Sequence, residues 1–339
     1  MKKYNVAVVG ATGLVGGEMI NVLKQRNFPV AGCRFFASHR SAGKKIEFKD
    51  REVLVEDIEN CDPSGIHIAL FAGGSIASIG HAPRFVKAGA VVVDNSKTFR
   101  MDPDVPLVVP EVNPEDLKKH NGIIANPNCS TIQMVVVLKP VYDKAGLERV
   151  IVSTYQAVAG TGKAALEEMK EQALLYLGEK YDEIKALVYP HQIAFNLLPH
   201  IGSFEDDGYT SEEHKMIFET RKILGDESIR ISATTVRVCT EIGHCESINI
   251  ETKKTVTVEE VRELMRNAPG VTLVDEPGRN LYPHALMCAG NDDVYIGRIR
   301  KDLFCENGLE VFIAADNLRK GAALNAVQIA EKMIEMNLI

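Results

Sequence analysis

Val6-Ala7-Val8-Val9-Gly10-Ala11-Thr12-Gly13-Leu14-Val15-Gly16 is the stretch on which the fold class turns. An unbroken apolar run is a strand buried on both faces, and the glycines follow it at once, before a helix-like stretch from Gly17 to Gln25. Without a Cβ at 10, 13 and 16 the main chain can approach a pyrophosphate at a helix N-terminus, where free N–H groups and the helix dipole favour anions. The spacing G-x-x-G-x-x-G is a variant of the dinucleotide fingerprint. Its place after a strand and before a helix is the context that fingerprint requires.

The pattern continues outward. Arg34 to Ala37, His67 to Ala72 (running into Gly73-Gly74-Ser75), Val91 to Asp94 and Leu107 to Val109 read as further short strands between helical stretches. Apolar strands alternating with helices predict a parallel, Rossmann-type sheet covered on both faces. The second strand ends in Ala37-Ser38-His39-Arg40-Ser41, where an NAD site usually places an acid for the ribose 2′-hydroxyl. Arg40 and Ser41, helped by Ser38 and Lys44, instead offer donors to a 2′-phosphate, which predicts NADP. From Val150 the texture changes. Ile151 to Tyr155, Ile231 to Val238, Glu246 to Glu251 and Val294 to Arg300 alternate apolar and polar residues, as in an antiparallel sheet with one face exposed or used as an interface.

A chain of 339 residues is long for one core. The expected division is a Rossmann domain over 1–128, joined by the C-terminal helix 318–339, and a mixed or antiparallel α+β domain over 129–317. The segment Glu179 to Glu213, rich in Pro, Gly and charge, reads as an excursion. A net charge of −7 argues against a general nucleic-acid or anionic-membrane binder. No apolar run approaches the ~20 residues of a membrane span, and Met1-Lys2-Lys3-Tyr4 leads straight into the first strand without a signal-peptide pattern. Seven scattered cysteines with no C-x-x-C pair fit neither a disulfide framework nor a structural zinc site. The cytoplasm is the expected compartment.

Chemistry gathers at a few places. Cys129, in Asn126-Pro127-Asn128-Cys129-Ser130-Thr131, stands between a strand-like and a helix-like run, where the helix dipole favours a thiolate. Tyr155-Gln156-Ala157-Val158-Ala159-Gly160 ends a strand and enters a loop; Gln156 could position a carbonyl oxygen and Gly160 admit a nicotinamide. Arg100 lies just past the end of a parallel strand, where open α/β sheets bind ligands. Ser211 reads as a helix start before an acidic turn; Glu212 and Lys215, three apart, share a face and could grip a zwitterion. Arg237 sits within an otherwise apolar strand and needs an anionic partner. His244 follows Gly243 in what reads as a loop.

Together these stretches resemble the bacterial aspartate-semialdehyde dehydrogenases. Gly10 to Gly16, Pro127 to Thr131, Ser153 to Ala157, Arg237 with His244, and Asp316-Asn317 through Gly321 match in order and spacing along nearly the whole chain. The resemblance implies NADPH-dependent reduction of L-aspartyl 4-phosphate to L-aspartate 4-semialdehyde and phosphate, in lysine, threonine, methionine and diaminopimelate biosynthesis, by a homodimer. It implies Cys129 as nucleophile, His244 as general acid/base and Gln156 as the group orienting the substrate beside Cys129. Arg237 would bind the α-carboxylate, Glu212 the ammonium group, Arg100 and Lys215 the phosphate, with Asn128 also at the substrate. Cofactor contacts would fall on Gly10, Thr12, Gly13, Leu14, Val15, Ser38, Arg40, Ser41, Gly73, Ala159, Gly160 and Asn317. Many members carry a serine where this chain has Ala159. Acetylglutamyl-phosphate reductases, the nearest alternative, read Asn-Pro-Gly-Cys-Tyr around their cysteine. A non-catalytic NADP-binding regulator is the alternative of a different class, and leaves Gln156, Arg237 and His244 without a purpose.

Overall fold

The computed structural model describes residues 2–339, which divide into two compact units: 2–128 with 322–339, and 129–321. The first unit contains β1 (Tyr4–Val9), α1 (Leu14–Gln25), β2 (Val30–Ala37), β3 (Lys45–Phe48), β4 (Arg51–Asp57), β5 (Ile68–Phe71), α2 (Gly74–Lys87), β6 (Val91–Asp94) and β7 (Ile123–Ala125). The second contains α3 (Cys129–Ala145), β8 (Leu147–Gln156), α4 (Lys163–Leu177), β9 (Leu197–Leu198), α5 (Ser211–Leu224), β10 (Arg230–Val238), β11 (His244–Thr252), α6 (Val258–Asn267), β12 (Val271–Leu273), α7 (Ala285–Cys288), β13 (Val294–Lys301) and β14 (Gly308–Ala315). The last helix, α8 (Leu324–Glu335), belongs to the first unit.

In the first unit the strand order is β3-β4-β2-β1-β5-β6-β7, parallel except for β3 against β4. The chain steps from β1 to β2 on one side and returns to β5 on the other, so the order reverses at β1, the place where doubly wound sheets bind ligands. Val6, Val8, Leu70 and Val93 pack with Met19 and Leu23 of α1 and with Val327 and Ile329 of α8 in one core. Ala7, Val9, Phe71 and Val92, from the opposite pleat, pack with Phe85 of α2. Burial on both faces is why these strands read as unbroken apolar runs. One expectation needs correction. Leu107 to Val109 is no strand; it makes an isolated bridge at Leu107 to Ala125, and Val108 and Val109 are apolar because they are buried. The hairpin β3–β4 lacks an apolar signature because β3, at the sheet's edge, and β4 beside it carry charged residues at their exposed positions.

In the second unit the order is β12-β13-β14-β11-β8-β10-β9. β8 with β10 and β12 with β13 are parallel and the remaining pairs antiparallel, so the sheet is mixed. α3, α5 and α6 cover one face. The other carries half-buried Ile151, Ser153, Ser247, Asn249 and Phe312 and the more exposed Tyr155, whose ring lies 6.2 Å from that of Phe312. Pairing of one covered with one half-covered face accounts for the alternation in the sequence. α5 is capped by Thr210, whose side chain and Glu213 form a reciprocal capping box, in place of the expected Ser211.

The segment between α4 and α5 has little regular structure and is held by two side chains of α4. The Glu168 carboxylate accepts from the amides of Leu187, Val188 and Tyr189, and Gln172 Oε1 from those of Ile193 and Ala194. At its tip the Tyr189 hydroxyl donates to Thr161 Oγ1 at 2.8 Å.

Candidate active site

Each unit presents one set of expected site residues. In the first, Gly10 turns at φ +82°, and a Cβ there would fall 2.7 Å from the Ala72 oxygen and the Gly73 nitrogen. A Cβ on Gly16 would come within 2.1 Å of the Gly10 oxygen. These positions therefore demand glycine on steric grounds alone. No side chain caps α1, whose N-cap is Gly13, so its first amides face outward beside exposed Thr12 and half-exposed Leu14 and Val15. The arrangement fits a dinucleotide pyrophosphate. Ser38 and Arg40 are exposed and Ser41 half-exposed on the turn after β2. One acid escaped the sequence reading: Asp57, brought beside Ala37 by the pairing of β4 with β2. Its carboxylate is committed locally, accepting from the Glu59 amide and Asn60 Nδ2, with His39 Nδ1 at 3.4 Å.

Arg100 and Asn128 are buried residues of this unit, and Nη2 of Arg100 donates to the Asn95 carbonyl. The remaining expected residues from Cys129 to Asn317 lie in the second unit, where strand register assembles them. Arg237 of β10 pairs with Gln156 at the end of β8. Cys245 of β11 pairs with Tyr155, so His244 stands one step further, level with Gln156. His244 in turn pairs with Ala315 of β14. Arg237, Gln156, His244 and Ala315 thus form one row across four adjacent strands. The turn after β14 completes it: Asn317 Oδ1 accepts from the Gly243 amide at 2.9 Å, and a Cβ on Gly321 would strike Cys129 Cβ at 2.9 Å. Cys129 begins α3, as a thiol meant to meet helix-terminal amides should.

The row is buried and its polar atoms are tied together. Gln156 Oε1 accepts from Thr154 Oγ1 at 3.0 Å, and Nε2 donates to Glu212 Oε1 at 3.0 Å, which fixes the amide's orientation. Lys215 Nζ reaches Glu212 Oε2 at 2.9 Å. Glu213, the other first-turn acid, serves the cap and also accepts from the Thr235 amide. Arg237 donates to the Ala157 carbonyl at 2.7 Å; its Nε has no partner, and no carboxylate among the described residues pairs with it. A Cβ on Gly160 would lie 3.3 Å from Arg237 Nη1 and 3.4 Å from His244 Nε2, so that glycine lets the loop lie against both side chains. Asn317 Nδ2 is buried and without a partner. Ala159 is buried, its amide donating to the Glu241 carbonyl.

Behind the row, Gln133, one turn along α3 from Cys129, donates to Glu246, two residues along β11 from His244, at 2.7 Å. Complete burial pushes the Glu246 carboxyl well above its usual range, the Gln133 bond opposing weakly. Burial pushes the neighbouring Cys245 thiol up to about 12, and raises Cys288 as well. Thr154, Gln133 and Glu246 carry no motif of their own; Thr154 lies two residues before Gln156 on β8, and Gln133 meets Glu246 only through the packing of α3 on β11.

Fold and site define a class: dehydrogenases with a Rossmann nucleotide unit and a separate mixed-sheet unit carrying a cysteine and a histidine. Residues 5–120 match the semialdehyde dehydrogenase NAD-binding domain family, and 138–320 the semialdehyde dehydrogenase dimerisation domain family. Aspartate-semialdehyde dehydrogenase of Aquifex aeolicus is 56% identical over 339 residues, 99% of each chain. That of Bacillus subtilis is 48% identical over 343 residues, again 99% of each chain. Among solved structures, Vibrio cholerae aspartate semialdehyde dehydrogenase II complexed with ASA superposes with a TM-score of 0.96 at 44% identity, covering 99% of both chains. The Candida albicans enzyme with NADP gives 0.76 at 26% identity, covering both chains in full. The chain belongs to the aspartate-semialdehyde dehydrogenase family.

Proposed function

We propose that this chain catalyses the NADPH-dependent reduction of L-aspartyl 4-phosphate to L-aspartate 4-semialdehyde and inorganic phosphate, in aspartate-family amino-acid biosynthesis, as a cytoplasmic homodimer. The observation that carries the substrate assignment is Arg237. A guanidinium at 5% exposure with no carboxylate beside it is costly unless a ligand supplies the anion, and an α-carboxylate does so bidentately. Glu212, 6% exposed and bonded to Gln156, supplies the opposite charge for the ammonium group. Lys215 and Arg100 are the cations for the phosphate.

Cys129 attacks the acyl carbon and forms a thioester. Gln156, its amide locked by Thr154 and Glu212, orients the carbonyl. His244 is the general acid/base, moving the proton on the Cys129 sulfur or the hemiacetal oxygen. Bound NADPH supplies a hydride to the thioester. The cofactor reading rests on exposed Arg40 at the end of β2 and on the local commitment of Asp57, which leaves the 2′ position to cationic and hydroxyl donors. Asn317 Nδ2 and Gly160 serve the nicotinamide end. The open face of the second sheet, bearing Tyr155 and Phe312, is the dimer surface; the match to a dimerisation domain supports it. No helix among the described residues is long and apolar enough to cross a membrane.

The test is NADP reduction by L-aspartate 4-semialdehyde with and without phosphate. Strict phosphate dependence, lost in Cys129→Ala, is expected. Activity with acetylglutamate semialdehyde in its place would overturn the substrate, and NADPH binding without turnover of either aldehyde would favour the regulatory alternative.

A further inference from the structure

Gln133 and Glu246 form a buried pair that the reaction as described does not use. Gln133 stands four residues after Cys129 and therefore on the same face of α3; Glu246 stands two after His244, on the same face of β11. Because α3 packs on β11, the pair spans the two elements that carry the cysteine and the histidine. Gln133 Nε2 donates to Glu246 Oε1 at 2.7 Å, both side chains being 1% exposed or less. Their other oxygens, Gln133 Oε1 and Glu246 Oε2, are buried and without a partner. Were Glu246 ionised, both would be acceptors and neither could serve the other, which is costly in a dry interior. One proton on the carboxyl turns Oε2 into a donor for Gln133 Oε1 and satisfies both. Turning the Gln133 amide over exchanges the ends of the pair and requires the same proton. No cation offsets a charge there. The register partners of Glu246 are Thr154 of β8 and Ile313 of β14, and its bond from α3 is to a neutral amide. Along β11 the nearest titratable groups are Cys245, whose thiol burial pushes up to about 12, and His244, which burial and Arg237 hold at about 3. Neither is charged at neutral pH. Burial acts on Glu246 in the same sense, pushing its carboxyl well above the usual range.

We propose that Glu246 is held as the neutral acid in a two-bond pair with the Gln133 amide, and that this pair positions Cys129, at the head of α3, against His244, at the head of β11. The positioning half rests on the thioester reading above; the neutral acid does not. β11 is already fixed from the side of β8, where the Ala157 amide donates to His244 Nδ1 at 2.9 Å. What remains to be set is the seat of α3 on the sheet. A fully satisfied buried polar pair specifies one arrangement, where apolar packing admits several. Neutrality matters as much as direction. A carboxylate buried one turn from Cys129 would repel the thiolate through a medium that screens little, and so raise the thiol. The protonated acid keeps both bonds and removes that repulsion.

The experiment is infrared difference spectroscopy of the free full-length enzyme at neutral pH, wild type against Glu246→Gln. A protonated-carboxyl carbonyl band that shifts in deuterium oxide and is absent from the variant is expected. Loss of carboxylate bands alone would overturn the neutral acid. So would a Glu246→Gln that fails to fold, because a glutamine there reproduces both bonds of the pair. The positioning role has its own readouts. Glu246→Gln should keep turnover close to wild type and leave the pH dependence of Cys129 alkylation where it is. A move of that profile to lower pH would mean that a negative charge had been removed, and would overturn the proposal. The double variant Gln133→Met with Glu246→Met fills similar volume and leaves no polar group orphaned. It should lose about 10–100-fold in turnover, the scale of a small misplacement of reacting groups, with NADPH affinity unchanged. Full turnover in that variant would overturn the positioning role. The infrared result needs no substrate, so its failure leaves the reaction assignment standing. Failure of the aldehyde assay would in turn leave the neutral pair intact.

Discussion

The glycine loop of the first unit and the proposed catalytic row of the second solve opposite problems. At Gly10 and Gly16 the chain needs nothing there: added Cβ atoms would lie 2.7 Å and 2.1 Å from backbone. At Arg237, Gln156 and His244 it works through side chains buried to 5% exposure or less, each held by a bond from another element. A loop of the first kind is written in consecutive residues and tolerates no addition. A row of the second kind is written across four strands and depends on their register. The two should therefore fail differently when altered, one through sterics and cofactor affinity, the other through turnover and charge.

The largest expected effect is at the head of α3. Cys129→Ala should lower turnover by about 10⁵–10⁶-fold, as removal of a nucleophile does, while NADPH binding by calorimetry stays unchanged. Weakened cofactor binding would break the independence of the two regions. Next comes Gly16→Ala, whose methyl has no room. A cost of about 3 kcal/mol or more in urea unfolding is expected, together with loss of NADPH affinity; a neutral result would mean that the loop yields, against the distances given. Arg40→Ala should weaken NADPH by about 10–100-fold, the value of one charge-assisted contact, and NADH hardly at all. Equal losses would remove the 2′-phosphate contact from the first unit.

The remaining effects concern pH and are small near neutrality, and two neighbours on β11 should show opposite signs. His244 has a folded value near 3 against about 6.5 unfolded, so as pH falls between these limits the unfolded chain takes up the proton first. Stability should drop by about 1.4 kcal/mol per pH unit across that window, and His244→Gln should remove that slope. Glu246 is raised, so the unfolded chain releases its proton first as pH rises above the ordinary carboxyl value, and stability is lost in the alkaline direction. Glu246→Gln places an amide that can donate to Gln133 Oε1, which has no partner. That variant should match or exceed wild-type stability at neutral pH, the gap closing in acid. A lower neutral stability would mean that Glu246 is held as a carboxylate.

The contrast also explains what could be read in advance. The loop around Gly10 was legible because strand, glycines and helix are neighbours in sequence and the strand's burial shows as a run of apolar residues. The same logic misled at Leu107 to Val109, where burial without pairing gives the same letters. In the second unit the alternating strands revealed a half-covered sheet, and Arg237 announced itself as a cation among apolar neighbours. What stayed hidden was non-local. That Arg237 lies beside Gln156, or that Ala157 faces His244, depends on pairings between strands some 80 residues apart. The cap at Thr210 was missed by one residue, since Ser211 is as good a cap by type and only backbone geometry chooses.

The segment after α4 has a consequence of its own. Glu168 and Gln172 hold main-chain amides, so they recognise the path of residues 187–194 and are indifferent to most of the side chains along it. Exposed positions such as Leu187 and Val188 are thereby released from any duty in folding. They form a natural grafting point, where a binding epitope or a reporter group could be written into the surface while two helix residues keep the backbone in place.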